Sequence, residues 1–264
     1  MRIAAFMDKE DIRIIDVPRP KLNDEGILIK IKSCGICGSD LHVFKTGKFL
    51  KDSSGEVDGY RVLGHEFAGE VVETGSMVQE FKEGDRVICA HVKGGFAEYL
   101  HVEKAIKNVT VFHLPDSITY RTAATLEPLF ISYHSIFLSS PVVGDTAVIM
   151  GGGMVGLGII QVLKALFFTR IVVIDLSDKR LETANRLGAD HLINPRNQDV
   201  FDTVAEITGT EYVRYLTYLS PRADIVYECA GAPATSDQAF KLARPKSGRV
   251  VVIALYKQGS QVDF

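Results

Sequence analysis

The stretch Thr146-Ala147-Val148-Ile149-Met150-Gly151-Gly152-Gly153-Met154-Val155-Gly156 decides the fold of the second half of the chain. An apolar run of strand length meets a glycine cluster, and a second apolar run, Leu157 to Phe168, follows with helical length. A further buried strand, Ile171 to Ile174, ends on Asp175. Glycines at 151, 153 and 156 between strand and helix, with an acid at the tip of the next strand, make a dinucleotide fingerprint in its required context. Gly151 allows the tight turn, Gly153 lets the backbone approach a pyrophosphate, and Gly156 lets the helix pack close to the sheet. Free amides at the helix start, around Met154 and Val155, receive the phosphates. Asp175 would accept the adenosine ribose hydroxyls and repel a 2′-phosphate, which favours NAD over NADP. Arg180 reads either as a contact to ribose or pyrophosphate or as a solvated surface arginine.

Downstream, strand and helix keep alternating. Lys179 to Leu187 is helical, His191-Leu192-Ile193 is a short strand, and Asp199 to Thr208 is helical again. Ile225-Val226-Tyr227 and Val250 to Ile253 supply two more strands. This order predicts an α/β fold, a doubly wound parallel sheet with helices on its faces.

Upstream the period is different. From Met1 to about His101 short β-patterned runs recur: Ile12 to Val17, Ile27 to Ile31, Phe67 to Val72, Asp85 to Ala90 and a last one after Gly94. Glycine and proline punctuate them, as in a compact, partly closed β domain. Residues 47–60 read as a loop, and Arg121 to Leu138 as a helix interrupted at Glu127-Pro128. The boundary is expected at 140, giving a first domain over 1–140 and a nucleotide domain over 141–264.

Composition narrows the class. The chain has 264 residues, 46% hydrophobic and 24% charged, with a formal net charge of -3. Such a chain buries an ordinary core and presents no basic surface for nucleic acid or membrane. No apolar run is long enough to span a bilayer, and the charged N-terminus is unlike a signal peptide. Four unevenly placed cysteines make no disulfide framework and fit a reducing, cytoplasmic setting.

Cys34-Gly35-Ile36-Cys37-Gly38-Ser39-Asp40-Leu41-His42 packs thiols, a hydroxyl, a carboxylate and an imidazole just past the alternating run Ile27 to Lys32. Gly64-His65-Glu66 follows a second apolar pair, Val62-Leu63. Cysteine, histidine and glutamate all ligate zinc, and a catalytic zinc takes three protein ligands and keeps one position open. The two segments are expected to meet around a metal. A structural zinc would want a second cysteine pair, and Cys89 and Cys229 stand alone. A thioredoxin-like use is not suggested by the Asp-Leu-His continuation. His91, His101, His113, His134 and His191 read as ordinary surface or core histidines. Glu127, in Leu126-Glu127-Pro128-Leu129-Phe130, sits in an apolar setting where a carboxylate wants a cation.

Cys34 to His42, Gly64-His65-Glu66, Gly84-Asp85-Arg86-Val87, Leu126-Glu127-Pro128 and the glycine loop stand in an order that resembles the zinc-dependent medium-chain dehydrogenases, in particular the sorbitol-like, butanediol and threonine dehydrogenases. The resemblance implies a GroES-like catalytic domain, a partly open β-barrel, beside a Rossmann domain. It implies that Cys37 and His65 ligate zinc, that Cys34 does not, and that Glu66 is a ligand or an exchanging near-ligand. Glu127 falls where such enzymes place a residue reaching zinc directly or through water, and Ser39 and His42 resemble a relay for the alcohol proton. The implied reaction oxidises a secondary alcohol or polyol to a ketone with hydride transfer to NAD. A zinc-free quinone or enone reductase of the same fold and a non-catalytic dinucleotide-binding protein are the alternatives.

Two departures from the family stand out. Cys89 is followed by Ala90-His91-Val92-Lys93-Gly94-Gly95 with no four-cysteine lobe, so one zinc per chain is expected. Relatives also run several dozen residues beyond the segment matching Gly248 to Phe264. Without that part a homo-oligomer, dimer or tetramer in the intact family, is not expected to form through the sheet edge.

Overall fold

A computed structural model describes residues 1–49, 54–167, 169–212 and 219–256. It divides into two compact units, Met1–Glu127 and Pro128–Phe264.

The first unit is almost entirely antiparallel β. Its elements are β1 (Arg2–Asp8), β2 (Asp11–Asp16), β3 (Ile27–Cys34), α1 (Gly38–Thr46), β4 (Gly55–Val57), β5 (Tyr60–Val62), β6 (Phe67–Thr74), β7 (Arg86–Cys89), β8 (Tyr99–Val102), β9 (Val111–His113) and α2 (Tyr120–Ala123). One sheet runs β8-β3-β6-β7-β9 and the other β2-β1-β5-β4. A bridge between Ile3 and Ala97 links their ends. Ile27, Ile29, Val71, Val87, Leu100 and Val111 fill the interior of the larger sheet. Ile27 and Ile29 are two apart, so they share a face, as the pleat requires. The β3–β6 pairing carries register shifts after Leu28 and Ile31 and ends with Cys34 opposite Phe67. That last pair places the residues following β3 against those preceding β6.

At the junction lies α3 (Leu126–Ser139). The second unit continues with β10 (Thr146–Met150), α4 (Met154–Leu166), β11 (Arg170–Ile174), α5 (Asp178–Arg186), β12 (His191–Ile193), α6 (Val200–Thr208), β13 (Thr210–Tyr212), β14 (Leu219–Pro221), β15 (Ile225–Glu228), α7 (Pro233–Leu242) and β16 (Arg249–Val252). Its main sheet is parallel, in the order β12-β11-β10-β15-β16. Alternate residues of β10 serve opposite faces. Ala147 and Ile149 pack with Ile159, Ile160 and Leu163 of α4, whereas Val148 and Met150 pack with Val200, Val204 and Leu242 from the other side. Both faces are covered, which is why the strands read as continuous apolar runs.

The expected α/β architecture, antiparallel β domain followed by parallel sheet, is present. Several local expectations are corrected. The stretch after Cys37 forms helix α1, held by Asp40 in its first turn and closed by Gly47 at φ 68°. Within 47–60, β4 pairs with β5 as a hairpin; residues 50–53 lie outside those described. The helix expected over 121–138 is two helices broken at Ala124-Thr125, and Pro128 sits in the first turn of α3, where proline is tolerated. Helix α4 begins at Met154 rather than Leu157, and Phe168 at its expected end lies outside the described residues. No described helix is long and apolar enough to cross a membrane.

Candidate active site

The antiparallel pairing of β3 with β6 does the assembling. Past Cys34 the chain continues beside Glu66, and the Gly35 N–H donates to the Glu66 carbonyl at 2.7 Å. A Cβ on Gly35 would crowd Glu66 Oε2 and stand 3.1 Å from Glu66 Cβ, so a larger residue would push this carboxylate aside. Cys37 then opens α1. Cys37, His65 and Glu66 offer one ligand atom each, all within 4.8 Å of one another. Ligand atoms around one tetrahedral zinc stand roughly 3.5 Å apart, so a small adjustment closes the set.

Asp40 ties the two segments together. Its Oδ2 accepts from Cys37 N–H at 2.9 Å and its Oδ1 from Gly64 N–H at 3.1 Å, with His65 Nδ1 3.8 Å from Oδ1. The side chain is 3% exposed. Gly64, at φ 89°, also accepts Gly94 and Gly95 N–H through its carbonyl. The short connection after Cys89 is thereby pinned alongside His65.

Acceptors crowd this site and no lysine or arginine pairs with Asp40, Glu66 or Glu127 among the described residues. The hydrogen bond to Cys37 is the main influence pushing His65 up to about 9; burial opposes it, while Asp40 and Glu127 add to it. Burial raises Glu66, and it raises Glu127, which His65 and then His91 pull back down. Thiol, imidazole and carboxylates gathered with no other cation are a donor set that fits zinc. Glu127 does not join the three-residue cluster but shares its field. Ser39 and His42 lie on α1, three residues apart and so on neighbouring positions of one helix face. Burial pushes the Cys34 thiol up to about 12, with Asp40 and Glu66 adding to it, which leaves Cys34 a packed, unreactive neighbour.

Two contributions escaped the sequence. Asp40 was visible only as one carboxylate among many polar groups, because its partners are backbone amides from distant segments. His91, read as an ordinary histidine, has φ 61° and bears on Glu127. The absence of a cysteine lobe after Cys89 was the available signal that this connection is short enough to lie against the site.

In the second unit the glycine loop has the expected form. Gly151 takes φ 102° between β10 and α4, and a Cβ on Gly156 would meet the Gly151 carbonyl at 2.0 Å. Around Gly153, the N-cap of α4, the position of a Cβ is open. Met154 begins the helix and Val155 follows. Asp175 is buried at the tip of β11: its Oδ2 accepts from Gly152 N–H at 2.8 Å and its Oδ1 from Ser177 N–H at 2.8 Å. Arg180 Nη1 stands 3.5 Å from Oδ2, on a largely exposed side chain.

Comparison with known proteins matches one family domain within each unit. The alcohol dehydrogenase GroES-like domain matches residues 23–116, and the zinc-binding dehydrogenase domain matches 154–264. Sorbitol dehydrogenase of Bacillus subtilis is 32% identical over 98% of this chain and 76% of its own length. The crystal structure of 2R,3R-butanediol dehydrogenase from the same organism superposes with a TM-score of 0.82 at 30% identity, over 99% of this chain and 79% of that one. A Sinorhizobium meliloti 1021 crystal structure bound to NADP gives 0.81 at 28% identity, over 100% and 79%. The chain therefore belongs to the zinc-binding medium-chain dehydrogenase family, the zinc-type alcohol and polyol oxidoreductases with a GroES-like and a Rossmann-like domain.

Proposed function

We propose that the protein oxidises a secondary alcohol or polyol to a ketone, with NAD taking the hydride. The convergence of Cys37, His65 and Glu66 in an acceptor-rich pocket carries this reading. Bound zinc would act there as a Lewis acid on the substrate hydroxyl. Cys37, His65 and Glu66 are assigned as its ligands, with Glu127 reaching it directly or through water. Glu66 is the member of the set assigned to exchange. Ser39 takes the hydroxyl proton and hands its own to His42, imidazole being the side chain suited to proton transfer near neutral pH. The carbinol carbon loses its hydrogen with the electron pair to the nicotinamide, so one NADH and one proton appear per ketone.

For the coenzyme, Gly151, Gly153 and Gly156 shape the loop, and the amides of Met154 and Val155 at the start of α4 meet the pyrophosphate. Asp175 keeps lone pairs for the ribose hydroxyls beyond those given to Gly152 and Ser177. Its charge disfavours a 2′-phosphate, and Arg180 lies at the same edge. Residues 1–140 then act as the catalytic domain and 141–264 as the nucleotide domain.

The test is zinc quantification on the purified protein together with NADH formation across polyols, butanediols and amino alcohols, with NADP in parallel. Zinc at one per chain and turnover with a secondary alcohol are expected. Cys37→Ser should lose both zinc and turnover while still binding NADH. Full turnover in that variant, or in zinc-free protein, would overturn the assignment.

A further inference from the structure

The second unit contains a carboxylate that the reaction above does not use. Glu228, the last residue of β15, is 0% exposed. Its Oε1 accepts from Ala230 N–H and Gly231 N–H, both at 3.0 Å, with the Thr235 hydroxyl at 2.7 Å. Its Oε2 accepts from the Tyr256 hydroxyl at 2.6 Å. Its own carbonyl accepts from Ile253 N–H at 2.9 Å and Ala254 N–H at 3.2 Å. One residue thus binds two connections at once, the one leaving β15 and the one leaving β16. No lysine or arginine pairs with it among the described residues, so its several hydrogen bonds are what offset the desolvation of a buried carboxylate.

The place of these connections in the sheet gives them a use. In the order β12-β11-β10-β15-β16 the chain moves outward from β10 in one direction and from β15 in the other, so the switch point lies between β10 and β15. Ligands of open parallel sheets bind outside the carboxyl ends of the strands at that point. The glycine loop leaves β10 there, and a Cβ on Gly151 would meet Ala230 N at 3.0 Å, so the two connections touch. On the far side, a Cβ on Gly231, at φ 71°, would meet the Leu255 carbonyl at 2.8 Å. The connection after β15 is therefore packed between the glycine loop and residues 253–256. With Asp175 marking the adenosine end and the α4 start the pyrophosphate, a dinucleotide crossing the switch point reaches residues 229–231 and 253–256 with its other end.

We propose that Glu228 is a positioning residue for the coenzyme: with the Tyr256 hydroxyl it clamps residues 229–231 and 253–256 into the wall that receives the nicotinamide half. This rests on the dinucleotide reading of the glycine loop given above. The clamp acts on backbone placement and does not touch the reacting atoms. Burial and the adjoining Glu228 carboxylate push the Tyr256 hydroxyl up to about 12, so it remains a donor throughout the neutral range.

The experiment compares ADP-ribose, which lacks nicotinamide, with NADH. Binding of each is titrated to the intact wild-type chain, to Tyr256→Phe and to Glu228→Ala, with bound-NADH fluorescence and thermal midpoints recorded. In Tyr256→Phe the NADH dissociation constant should rise roughly tenfold, one hydrogen bond to a charged acceptor, with a changed nicotinamide emission. ADP-ribose should bind within about twofold of wild type, the scatter expected when no contact is lost. Glu228→Ala should show the same selectivity more strongly; should it fail to fold, Tyr256→Phe decides alone. Equal weakening of both ligands, or no change in either, would overturn the clamp. A wild-type chain that binds neither ligand would instead sink the dinucleotide reading itself.

Discussion

Asp40 shows how much of a candidate site can rest on a carboxylate whose partners are backbone amides. Its two oxygens each take a backbone N–H, one from Cys37 and one from Gly64, so a single planar carboxylate ties the segment carrying Cys37 to the one carrying His65. In Asp40→Asn one oxygen becomes an NH2, which must face a backbone N–H donor at one end or the other. The variant should still fold, since the shape is kept, but hold zinc roughly tenfold less tightly, the scale seen for groups that orient metal ligands. Competition with a chromogenic chelator measures this, and an unchanged zinc affinity would remove Asp40 from the assembly of the site. The candidate cluster itself was legible because Cys37, His65 and Glu66 belong to the few side-chain types that bind zinc. Asp40 was not, because a carboxylate bonded to backbone amides leaves no trace in residue types.

Elements were legible where burial is uniform. β10, β11 and β15 are buried along nearly their whole length, and their unbroken apolar runs located them to within a residue or so. Helix α1 was missed because its sequence, glycine-led and only weakly amphipathic, depends on its ends: Asp40 at the start and Gly47 at the close. The α2–α3 break was misplaced because Pro128 looks like a breaker but occupies a first-turn position. The connection entering β12 gives a prediction at this scale. Asp190 accepts from Lys164 Nζ at 2.9 Å and from Ile171 N–H at 2.7 Å, joining α4 to the start of the parallel pair β11–β12. Burial alone would raise its carboxyl, but the Lys164 and Ile171 hydrogen bonds, with the charges of Lys164 and His191, outweigh it and hold the group below the usual 3.8. A depressed folded value stabilises the fold above the unfolded value and loses that stabilisation as pH falls through the folded one. Asp190→Asn should therefore be less stable than wild type at neutral pH, and the gap should narrow as the pH falls below the usual carboxylate range. Urea midpoints at neutral pH and at a series of acid values check it; a gap that persists unchanged throughout the acid series would assign the loss to packing instead of charge. The pair is partly exposed, so solvent screening keeps the effect small.

At the scale of the whole chain, the order of two domains was readable from the change of period, short alternating runs first and strand–helix repeats after. What could not be read is that the first unit is stitched through its own candidate site. The segments carrying Cys37 and His65–Glu66 are held to each other by the β3–β6 ladder on one side and Asp40 on the other, around a Glu66 carboxylate whose charge burial, Glu127 and Asp40 disfavour. A metal that binds only the folded arrangement stabilises it by mass action, about 2.7 kcal/mol when free zinc is a hundred times its dissociation constant. Stripping zinc should accordingly lower the thermal transition that belongs to the first unit, and zinc returned after removal of the chelator should restore it. Calorimetry on the whole chain is the suitable measurement, because two units need not melt as one and a single midpoint could hide the shift. Cys37→Ser supplies the control: having lost a ligand, it should melt near the stripped wild type and respond to neither chelator nor zinc. A chelator shift of equal size in that variant would mean that the stabilising metal sits elsewhere than among Cys37, His65 and Glu66.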